Sequence, residues 1–372
     1  MSKGVISRGI ECPIIREGDD LVKIVVDSVL EATAKDYNQM SIGGRGRELG
    51  HYLNREGQDV IGITESAIAR AAGLYVSVDD IAKDIILKFG PASTIIVTNP
   101  IYSRNRFSMI LKGIARAAAR VIIYMPPYDE VGNPSGVNPF TGVDIRQYYK
   151  EIVESEDAVC DIREWELREY NMYDNLYPMI YCGLHDYEKW REETEDIPDF
   201  ITLADICNDK NPDFGLLGSN KATEEKIKLF PTKAEAKRVC EEVKKSIYEK
   251  TGKDVVVMAY GDGCYKDFDA GIWECADPRC SPGYTDEDLL NSTPNEVKLK
   301  ALIDKSASDA EVRRVLAENK DKNLKGNMTS QGTTPRRFVN LLASLMDLTS
   351  GSGDRGTPVV LVQNYFKEKN KE

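Results

Sequence analysis

The sequence predicts an α+β protein whose N-terminal half has α/β character, and three observations support this fold class. Apolar strands alternate with amphipathic helices as far as about residue 125. The pattern then loosens and turn-forming residues increase, and regular alternation returns from residue 232. We therefore expect an N-terminal α/β region at 1–125, an insertion or subdomain at 126–231, and a C-terminal α/β region at 232–372.

Helical spacing and capping residues predict the first elements. Apolar residues at 21, 22, 25, 26, 29 and 30 line one helix face, and Asp19 or Asp20 is suited to cap that helix. Gly73 is expected to end a helix that begins at Glu65. The other elements expected in this region are strands at 59–64, 94–98 and 121–125 and helices at 79–89 and 106–120.

The remainder of the chain is predicted in the same way. Short strands at 179–182 and 201–206 are expected in the loosely patterned middle. A long amphipathic helix at 233–250 and a strand at 254–260 follow it. The last elements expected are charged helices between 285 and 320, a helix at 335–348 and a strand at 359–362.

Composition excludes several classes of function. The formal charge of −12 argues against non-specific nucleic-acid binding, which needs a basic face. No apolar run approaches the roughly 20 residues of a membrane helix, and the N-terminus lacks a signal-peptide pattern. We expect a cytoplasmic protein with no membrane partner. The eight cysteines form no C-x-x-C pair and are expected to be free thiols, although Cys264, Cys275 and Cys280 are close enough in sequence for a soft metal.

A glycine-rich loop lies between the last predicted helix and strand. It contains Gly351, Ser352, Gly353, Asp354 and Gly356. Glycine permits positive φ and lets the backbone approach a phosphate closely, so the loop is a candidate phosphate-binding segment. An ordinary helix-to-strand turn is the alternative.

A second candidate for phosphate binding lies where a buried strand becomes a helix. Glu65 and Ser66 begin the helix, and Arg70 follows one turn later. Free amide groups and a hydroxyl at a helix start favour an anion. A simple helix cap with a surface arginine explains the same residues.

Two arginines follow the strand predicted at 94–98. Arg104 and Arg106 stand beside Ser103, Asn105 and Ser108. The planar guanidinium group binds carboxylate or phosphate with two hydrogen bonds, so this cluster is a candidate substrate-carboxylate site. Helix capping and salt bridges are the alternative.

Acidic side chains follow the strand predicted at 254–260. Asp262 and Asp267 offer hard oxygen ligands, and magnesium or manganese beside phosphate needs only one or two protein carboxylates. Solvated turn residues are the alternative. A second acidic turn begins at Asp129 and could offer a further carboxylate, or could simply form a turn.

Four separated stretches carry a resemblance to a known family. They are Cys-Pro-Ile-Ile-Arg-Glu-Gly-Asp-Asp-Leu at 12–21, the strand-to-glycine block at 59–73, the strand and polar loop at 255–271, and Phe-Val-Asn-Leu-Leu at 338–342 with the loop and strand at 351–362. In this order they resemble the coenzyme F420-0:L-glutamate ligase family. The resemblance implies a two-domain α+β fold in an intertwined homodimer.

The resemblance also implies a function and a set of residues. The family joins L-glutamate by an amide bond to a carboxylate-bearing, flavin-like cofactor and uses GTP and divalent cations. By position, the residues implied at the nucleotide are Cys12, Pro13, Ile14, Ile15, Glu65, Ser66, Arg70 and the loop from Gly351 to Gly356.

We therefore expect a ligase that uses GTP or ATP with Mg²⁺ or Mn²⁺ and forms an acyl phosphate that an amino acid attacks. Asp262 and Asp267 would hold the metal, Ser66 and Arg70 the phosphate, and Arg104 and Arg106 the substrate carboxylate. The acceptor need not be F420-0.

Two alternatives remain. A non-catalytic nucleotide- or cofactor-binding protein of the same fold is suggested by Thr333 and Thr334, which stand where the family has an acidic pair. A protein that binds another small anionic metabolite through Arg104 and Arg106 would bind no nucleotide.

Overall fold

The computed structural model describes most of the chain. The described residues are 4–39, 44–54, 56–103, 106–129, 133–138, 142–164, 177–183, 199–261, 265–267, 272–274, 283–291, 308, 310–311, 314, 337–350 and 356–366. Seven α-helices and sixteen strands are assigned within these ranges. In chain order they are β1 (Ile6–Ile10), α1 (Leu21–Ala32), β2 (Lys35–Gln39), β3 (Gly44–Glu48), β4 (Glu56–Thr64), α2 (Glu65–Ala71), β5 (Tyr75–Ser77), α3 (Val78–Phe89), β6 (Ser93–Thr98), α4 (Phe107–Ala117), β7 (Ala118–Met125), α5 (Ile145–Ser155), β8 (Val159–Glu164), β9 (Met179–Tyr181), β10 (Phe200–Thr202), β11 (Asn220–Lys221), β12 (Lys226–Lys228), α6 (Lys233–Thr251), β13 (Asp254–Tyr260), β14 (Tyr265–Asp267), β15 (Ile272–Glu274), α7 (Phe338–Ser350) and β16 (Val359–Gln363).

The chain divides into two compact units. The first unit combines Met1–Ala71 with Lys233–Glu372, and the second is the continuous segment Ala72–Thr232. This division differs from the three segments inferred from the sequence, because it joins 72–125 to the loosely patterned middle. The parallel pairing of β6 with both β7 and β9 accounts for the difference.

A four-stranded sheet in the order β1-β16-β4-β13 forms the centre of the first unit. β4 and β13 run parallel, whereas β16 is antiparallel to both β1 and β4. Apolar residues of α1, α2 and α6 pack on one face of the sheet, and those of α7 pack on the other. Burying each Val, Leu or Ile side chain contributes about 1.5–3 kcal/mol.

The helices of the first unit follow from their sequence patterns. Asp20, one of the two residues predicted to cap α1, accepts a hydrogen bond from the N–H of Lys23 at 2.9 Å. The buried residues of α6 recur at helical spacing, as the sequence predicts: they are Ala236, Val239, Cys240, Val243 and Ile247.

The second unit contains a five-stranded parallel sheet in the order β10-β9-β6-β7-β8. Counted from β6 as the first strand, this is the order 3-2-1-4-5 of doubly wound proteins. Helices α3, α4 and α5 pack with one face of the sheet into a large apolar core. A small antiparallel sheet, β11-β12-β5, completes the unit.

Two predicted elements extend too far. The helix predicted at 106–120 ends at Ala117, because Ala118 is extended and Arg120 pairs with Val159 of β8. Ala and Arg favour helices, but the strand pairing overrides that preference. The strand predicted at 201–206 ends at Thr202, where the N–H and hydroxyl of Thr202 donate to Asp205 and start a turn.

Candidate functional site

The ends of four segments meet at one edge of the sheet in the first unit. β4 and β13 finish there, with Thr64 opposite Tyr260. β1 also finishes there, and β16 begins there, because Ile10 pairs with Val359. Of the residues implied by the resemblance, Cys12, Glu65 and Gly356 lie next to these strand ends, so topology brings together segments that are hundreds of residues apart in sequence.

Backbone hydrogen bonds fix this edge. The N–H of Cys12 donates to the carbonyl of Gly356 at 3.1 Å, and the N–H of Thr64 donates to the carbonyl of Pro358 at 2.9 Å. Gly356 has a φ of +67°, which glycine adopts without strain. The structure therefore places Cys12 beside one end of the glycine-rich loop.

The other members of the Cys12 segment differ in exposure. Ile15 is buried in the apolar core, whereas Ile14 is 71% exposed and Pro13 is exposed. Cys12 is half-buried and its thiol donates to the carbonyl of Ile10. Burial raises the pKa of this thiol, while a hydrogen bond with Ser28 opposes the rise, so Cys12 is predominantly a neutral thiol at neutral pH.

Glu65 contributes a buried carboxylate to the same edge. Only 3% of the residue is exposed, and its Oε2 accepts a hydrogen bond from the Thr64 hydroxyl at 3.0 Å. A Cβ atom added to Gly261 would lie 2.5 Å from the Glu65 carboxylate. The carboxylate therefore occupies space that a side chain at position 261 would need. A carboxylate in the first turn of α2 repels a phosphate and attracts a cation.

Ser66 and Arg70 lie on one side of α2, four residues apart. Ser66 is half-buried and Arg70 is exposed. Their spacing is compatible with a shared anionic ligand, and the expectation that they hold phosphate stays a prediction.

Tyr260 closes β13 and is only 1% exposed. Its hydroxyl is enclosed, and within the described ranges no group completes a hydrogen bond with it. Burial raises the pKa of Tyr260, and the neighbouring Ser350 side chain opposes the rise without reaching full hydrogen-bond geometry. The sequence interpretation did not select Tyr260 as a site residue, and its position as the last residue of a buried strand was the available signal.

Arg106 lies in the second unit, just before α4. Its N–H donates to the Ser103 hydroxyl at 3.0 Å, and its Nε donates to Asn220 Oδ1 at 3.0 Å. The first contact forms a turn before α4, which begins without a side-chain cap, and the second joins two side chains. The role of Arg106 at a substrate carboxylate stays a prediction.

Asp129 proves to be a turn-forming residue. Its buried carboxylate accepts from the N–H of Tyr102 at 2.8 Å, from the N–H of Asn133 at 2.7 Å and from the Asn133 side chain at 2.9 Å. The turn chemistry anticipated for this acidic stretch accounts for these contacts.

Several predicted site residues lie outside the described part of the chain. They are Arg104, Asp262, Gly351, Ser352, Gly353 and Asp354, together with Cys264, Cys275, Cys280, Thr333 and Thr334; Asp267 is described by its backbone alone, in β14. Over the described ranges, no three His, Cys, Asp or Glu residues form a metal-binding group. No helix in those ranges combines the length and hydropathy needed to span a bilayer.

Comparison with known proteins gives one family. A family model described as F420-0:Gamma-glutamyl ligase matches residues 9–364, which is nearly the whole chain. A search of curated proteins gives no match. The match includes all four stretches that carry the resemblance, as well as the second unit.

Proposed function

Because the chain belongs to the F420-0:gamma-glutamyl ligase family, we propose that it uses a nucleoside triphosphate to join an amino acid to a carboxylate-bearing acceptor. L-Glutamate is the expected amino acid and GTP the expected nucleotide, with ATP as the alternative. The family implies a ligase that acts on small molecules. The nucleotide, the metal and the chemical intermediate are parts of this proposal.

The observation that carries the proposal is the meeting of four segments at one sheet edge. Cys12, Glu65, Tyr260 and Gly356 come from four separate stretches, and hydrogen bonds or direct packing connect their strand ends. A nucleotide bound by one continuous motif would not require four separate stretches of the chain to meet. A site assembled from distant segments is typical of an enzyme that must hold more than one reactant.

The available oxygen donors suit a divalent cation. Mg²⁺ and Mn²⁺ prefer oxygen ligands, and the Glu65 carboxylate lies against Gly261, the residue that precedes Asp262. We propose that Glu65, Asp262 and Asp267 hold such an ion. When bound, the ion would neutralise charge on the nucleotide phosphates.

The proposed reaction has two steps. An oxygen of the acceptor carboxylate attacks the γ-phosphorus, the bond to the bridging oxygen breaks, and the nucleoside diphosphate leaves. The amine of the amino acid then attacks the acyl carbon, inorganic phosphate leaves, and the amine loses a proton to solvent. Ser66 and Arg70 would contact phosphate oxygens, and Arg104 and Arg106 would orient a carboxylate.

Turnover tests the proposal directly. The full chain is incubated with GTP or ATP, Mn²⁺, L-glutamate and candidate carboxylate acceptors, and the products are analysed by mass spectrometry. We expect an acceptor that gains one glutamyl residue and a stoichiometric release of inorganic phosphate. If no acceptor gains mass and no nucleotide is hydrolysed, the ligase proposal fails for these substrates.

Binding tests the metal assignment separately. Calorimetric titration with GTP should show tighter binding in the presence of Mn²⁺, and Glu65→Gln should remove most of that difference. Glu241→Gln is the matched control, since Glu241 is an exposed residue of α6 paired with Lys237. Equal enhancement by Mn²⁺ in both variants would contradict a role for Glu65 at the ion.

A non-catalytic binding protein is the second candidate function. Thr333 and Thr334 favour it, because neutral hydroxyls replace the acidic pair implied by the family resemblance. Tight GTP binding that does not depend on Mn²⁺, together with no turnover, would favour this candidate over the ligase.

A further inference from the structure

One side-chain hydrogen bond joins the two ends of the glycine-rich loop. Helix α7 ends at Ser350, and β16 begins at Val359 on the other side of the loop. The Thr357 hydroxyl donates to the carbonyl of Ser350, a residue 7 positions earlier, at 3.0 Å. Both residues are buried. The chain therefore leaves α7 and returns towards the sheet within hydrogen-bond distance of its point of departure.

The Ser350 carbonyl is a group that α7 cannot use itself. The last four carbonyl groups of a helix have no N–H partner within the helix, and Ser350 is the last residue of α7. A buried acceptor of this kind needs a donor from elsewhere in the fold. The Thr357 hydroxyl supplies that donor, so it completes the end of the helix and closes the base of the loop together.

Strand β1 confines the Thr357 side chain from another direction. A Cβ atom added to Gly9 would lie 2.9 Å from Thr357 Cβ and 3.0 Å from Thr357 Oγ1. A side chain at position 9 would therefore displace the hydroxyl, since a packed interior has no free space to absorb the added atom. The absence of a side chain at Gly9 leaves the place that Thr357 occupies.

Three consecutive residues connect this point to three separate segments. The carbonyl of Gly356 accepts from the N–H of Cys12 at 3.1 Å, and the carbonyl of Pro358 accepts from the N–H of Thr64 at 2.9 Å. Thr357, between them, contacts the end of α7. Cys12 follows β1 and Thr64 ends β4, so these contacts hold the end of the loop against both strands. Among the three contacts, the one that Thr357 forms depends on a side chain and can be removed by substitution.

We propose that Thr357 is a positioning residue for the nucleotide site of the proposed ligase. Its hydroxyl, packed against Gly9, fixes the base of the glycine-rich loop at the sheet edge where Cys12 and Glu65 lie. Thr357 acts through the loop, which is the proposed phosphate-binding segment. A loop whose ends are already fixed loses less conformational freedom when a ligand binds, so affinity rises. This inference rests on the proposed function, because it assumes that the edge binds a nucleotide.

Two substitutions separate the hydroxyl of Thr357 from the shape of its side chain. Thr357→Val keeps the shape and removes the donor, whereas Thr357→Ser keeps the donor and removes a methyl group. The full-length variants are titrated with GTP in the presence of Mn²⁺ by calorimetry. We expect Thr357→Val to raise the Kd at least about fivefold, and Thr357→Ser to stay within about twofold of the wild type.

Thr33→Val is the matched control for a loss of stability. Thr33 is fully buried at the end of α1, and its hydroxyl donates to the carbonyl of Val29 at 2.7 Å. Its own carbonyl accepts from the N–H of Tyr52, which precedes β4, so Thr33 lies towards the other end of the sheet. Both valine variants should lower the Tm, because each leaves a carbonyl without its hydroxyl donor. Thr357→Val should also raise the Kd, whereas Thr33→Val should change it by less than about twofold.

Gly9 offers an independent route to the same effect. Gly9→Ala leaves the Thr357 hydroxyl in place chemically but adds a methyl group that must displace it. We expect the Kd for GTP to rise at least about threefold. Gly4→Ala is the control in the segment before β1: the added Cβ meets no atom within 4 Å, and the Kd should stay within about twofold of the wild type.

The outcomes distinguish this inference from the proposed function. If the wild type binds GTP and Thr357→Val binds it as tightly as Thr33→Val does, the positioning role is wrong and nucleotide binding stands. The role is also wrong if Thr357→Ser binds as weakly as Thr357→Val, since the hydroxyl would then not be the group responsible. If the wild type binds neither GTP nor ATP, the proposed nucleotide chemistry fails and the positioning role fails with it.

Discussion

At the scale of single residues, the buried hydroxyl groups of Tyr260 and Tyr149 differ in their hydrogen bonding. Both are fully enclosed. The Tyr149 hydroxyl donates to the carbonyl of Ile101 at 3.0 Å and accepts from the N–H of Ser103 at 2.9 Å, whereas the Tyr260 hydroxyl completes no hydrogen bond in the described structure. The described fold therefore uses the first hydroxyl in two hydrogen bonds and completes none with the second.

This contrast gives a prediction for two matched variants. Tyr260→Phe should leave the free energy of unfolding unchanged or raise it by up to about 1 kcal/mol, and should weaken GTP binding. Tyr149→Phe should lower that free energy by about 1–3 kcal/mol, because it leaves buried backbone groups without a partner. Chemical denaturation and calorimetric titration measure the two effects. A destabilised Tyr260→Phe with normal GTP binding would show that the hydroxyl has only a structural role.

Gly261 allows a second prediction at this scale. In Gly261→Ala the new methyl group would lie 2.5 Å from the Glu65 carboxylate, so either residue must move. We expect a loss of about 1–3 kcal/mol in the free energy of unfolding and weaker metal-dependent GTP binding. Gly136→Ala is the control: it meets no atom within 4 Å and should change stability by less than about 0.5 kcal/mol. Unchanged GTP binding in Gly261→Ala would argue against Glu65 as a ligand.

Sequence reasoning selected some of the candidate site residues and passed over another. Cys12 and Gly356 could be selected because they belong to recognisable stretches, and the structure joins them by a backbone hydrogen bond. Tyr260 could not be selected in this way, since a tyrosine at the end of an apolar strand reads as core. Only the missing hydrogen-bond partner distinguishes it, and that property depends on residues far away in the chain.

At the scale of elements, α3 has the most fully specified start. Ser77 Oγ accepts from the N–H of Asp80 at 3.0 Å, and Asp80 Oδ2 accepts from the N–H of Ser77 at 2.8 Å. This reciprocal capping box satisfies two amide groups that the helix cannot use internally. Gly90, with a φ of +83°, ends the helix.

The capping box predicts a pH-dependent contribution to stability. Hydrogen bonds from the Ser77 hydroxyl and N–H lower the pKa of Asp80, so the carboxylate stabilises the fold at neutral pH. That contribution is lost as pH falls through the lowered pKa of the folded state. Asp80→Asn should therefore differ from the wild type above about pH 5, and the difference should shrink only in acid below about pH 4, as pH falls through the lowered pKa of the folded state. Denaturation curves across this range would contradict the assignment if the difference stayed constant.

The hydroxyl of the same box can be tested at one pH. Ser77→Ala should cost about 1 kcal/mol of unfolding free energy at pH 7, because the N–H of Asp80 loses its partner. Ser155→Ala, at an exposed hydroxyl near the end of α5, should cost less than about 0.5 kcal/mol. Equal losses in the two variants would mean that the cap contributes nothing specific.

Helix α5 and strand β8 were not predicted from the sequence, and the reason is the same for both. Helix α5 buries only Ile145, Tyr149 and Val153, a stripe too narrow to stand out among its charged residues. Strand β8 carries Asp161 and Arg163 on a sheet face, where they pair with each other. In both elements, polar side chains form pairs within the fold. The repeat of apolar residues is therefore hard to recognise in the sequence. Helix α1 has a broad apolar face, helix α6 repeats its apolar residues over a much longer stretch than α5, and both were predicted almost to the residue.

At the scale of the whole molecule, the two units differ in how the chain builds them. The second unit is one continuous segment with its own large core, whereas the first unit needs both ends of the chain. Local continuity allows independent folding, since every strand of the parallel sheet lies between 93 and 202.

We therefore predict that residues 72–232 fold when produced alone. The fragment should melt in one cooperative transition by circular dichroism. Ile114→Ala should lower its stability by about 2–5 kcal/mol, because Ile114 is fully buried in the core. A gradual, non-cooperative melt that is insensitive to Ile114→Ala would show that this unit depends on the rest of the chain.

The strand order of the first unit has a consequence for its synthesis on the ribosome. Among the strands that the structure describes, β1 pairs only with β16, and β4 pairs with β16 and β13, so neither early strand has one of these partners until residues from 254 onwards emerge. At about 5–20 residues per second, β4 waits roughly 10–40 s for β13. All strands of the parallel sheet in the second unit are synthesised during that interval. Translation therefore makes the second unit available for folding first, while β1 and β4 still lack their sheet partners.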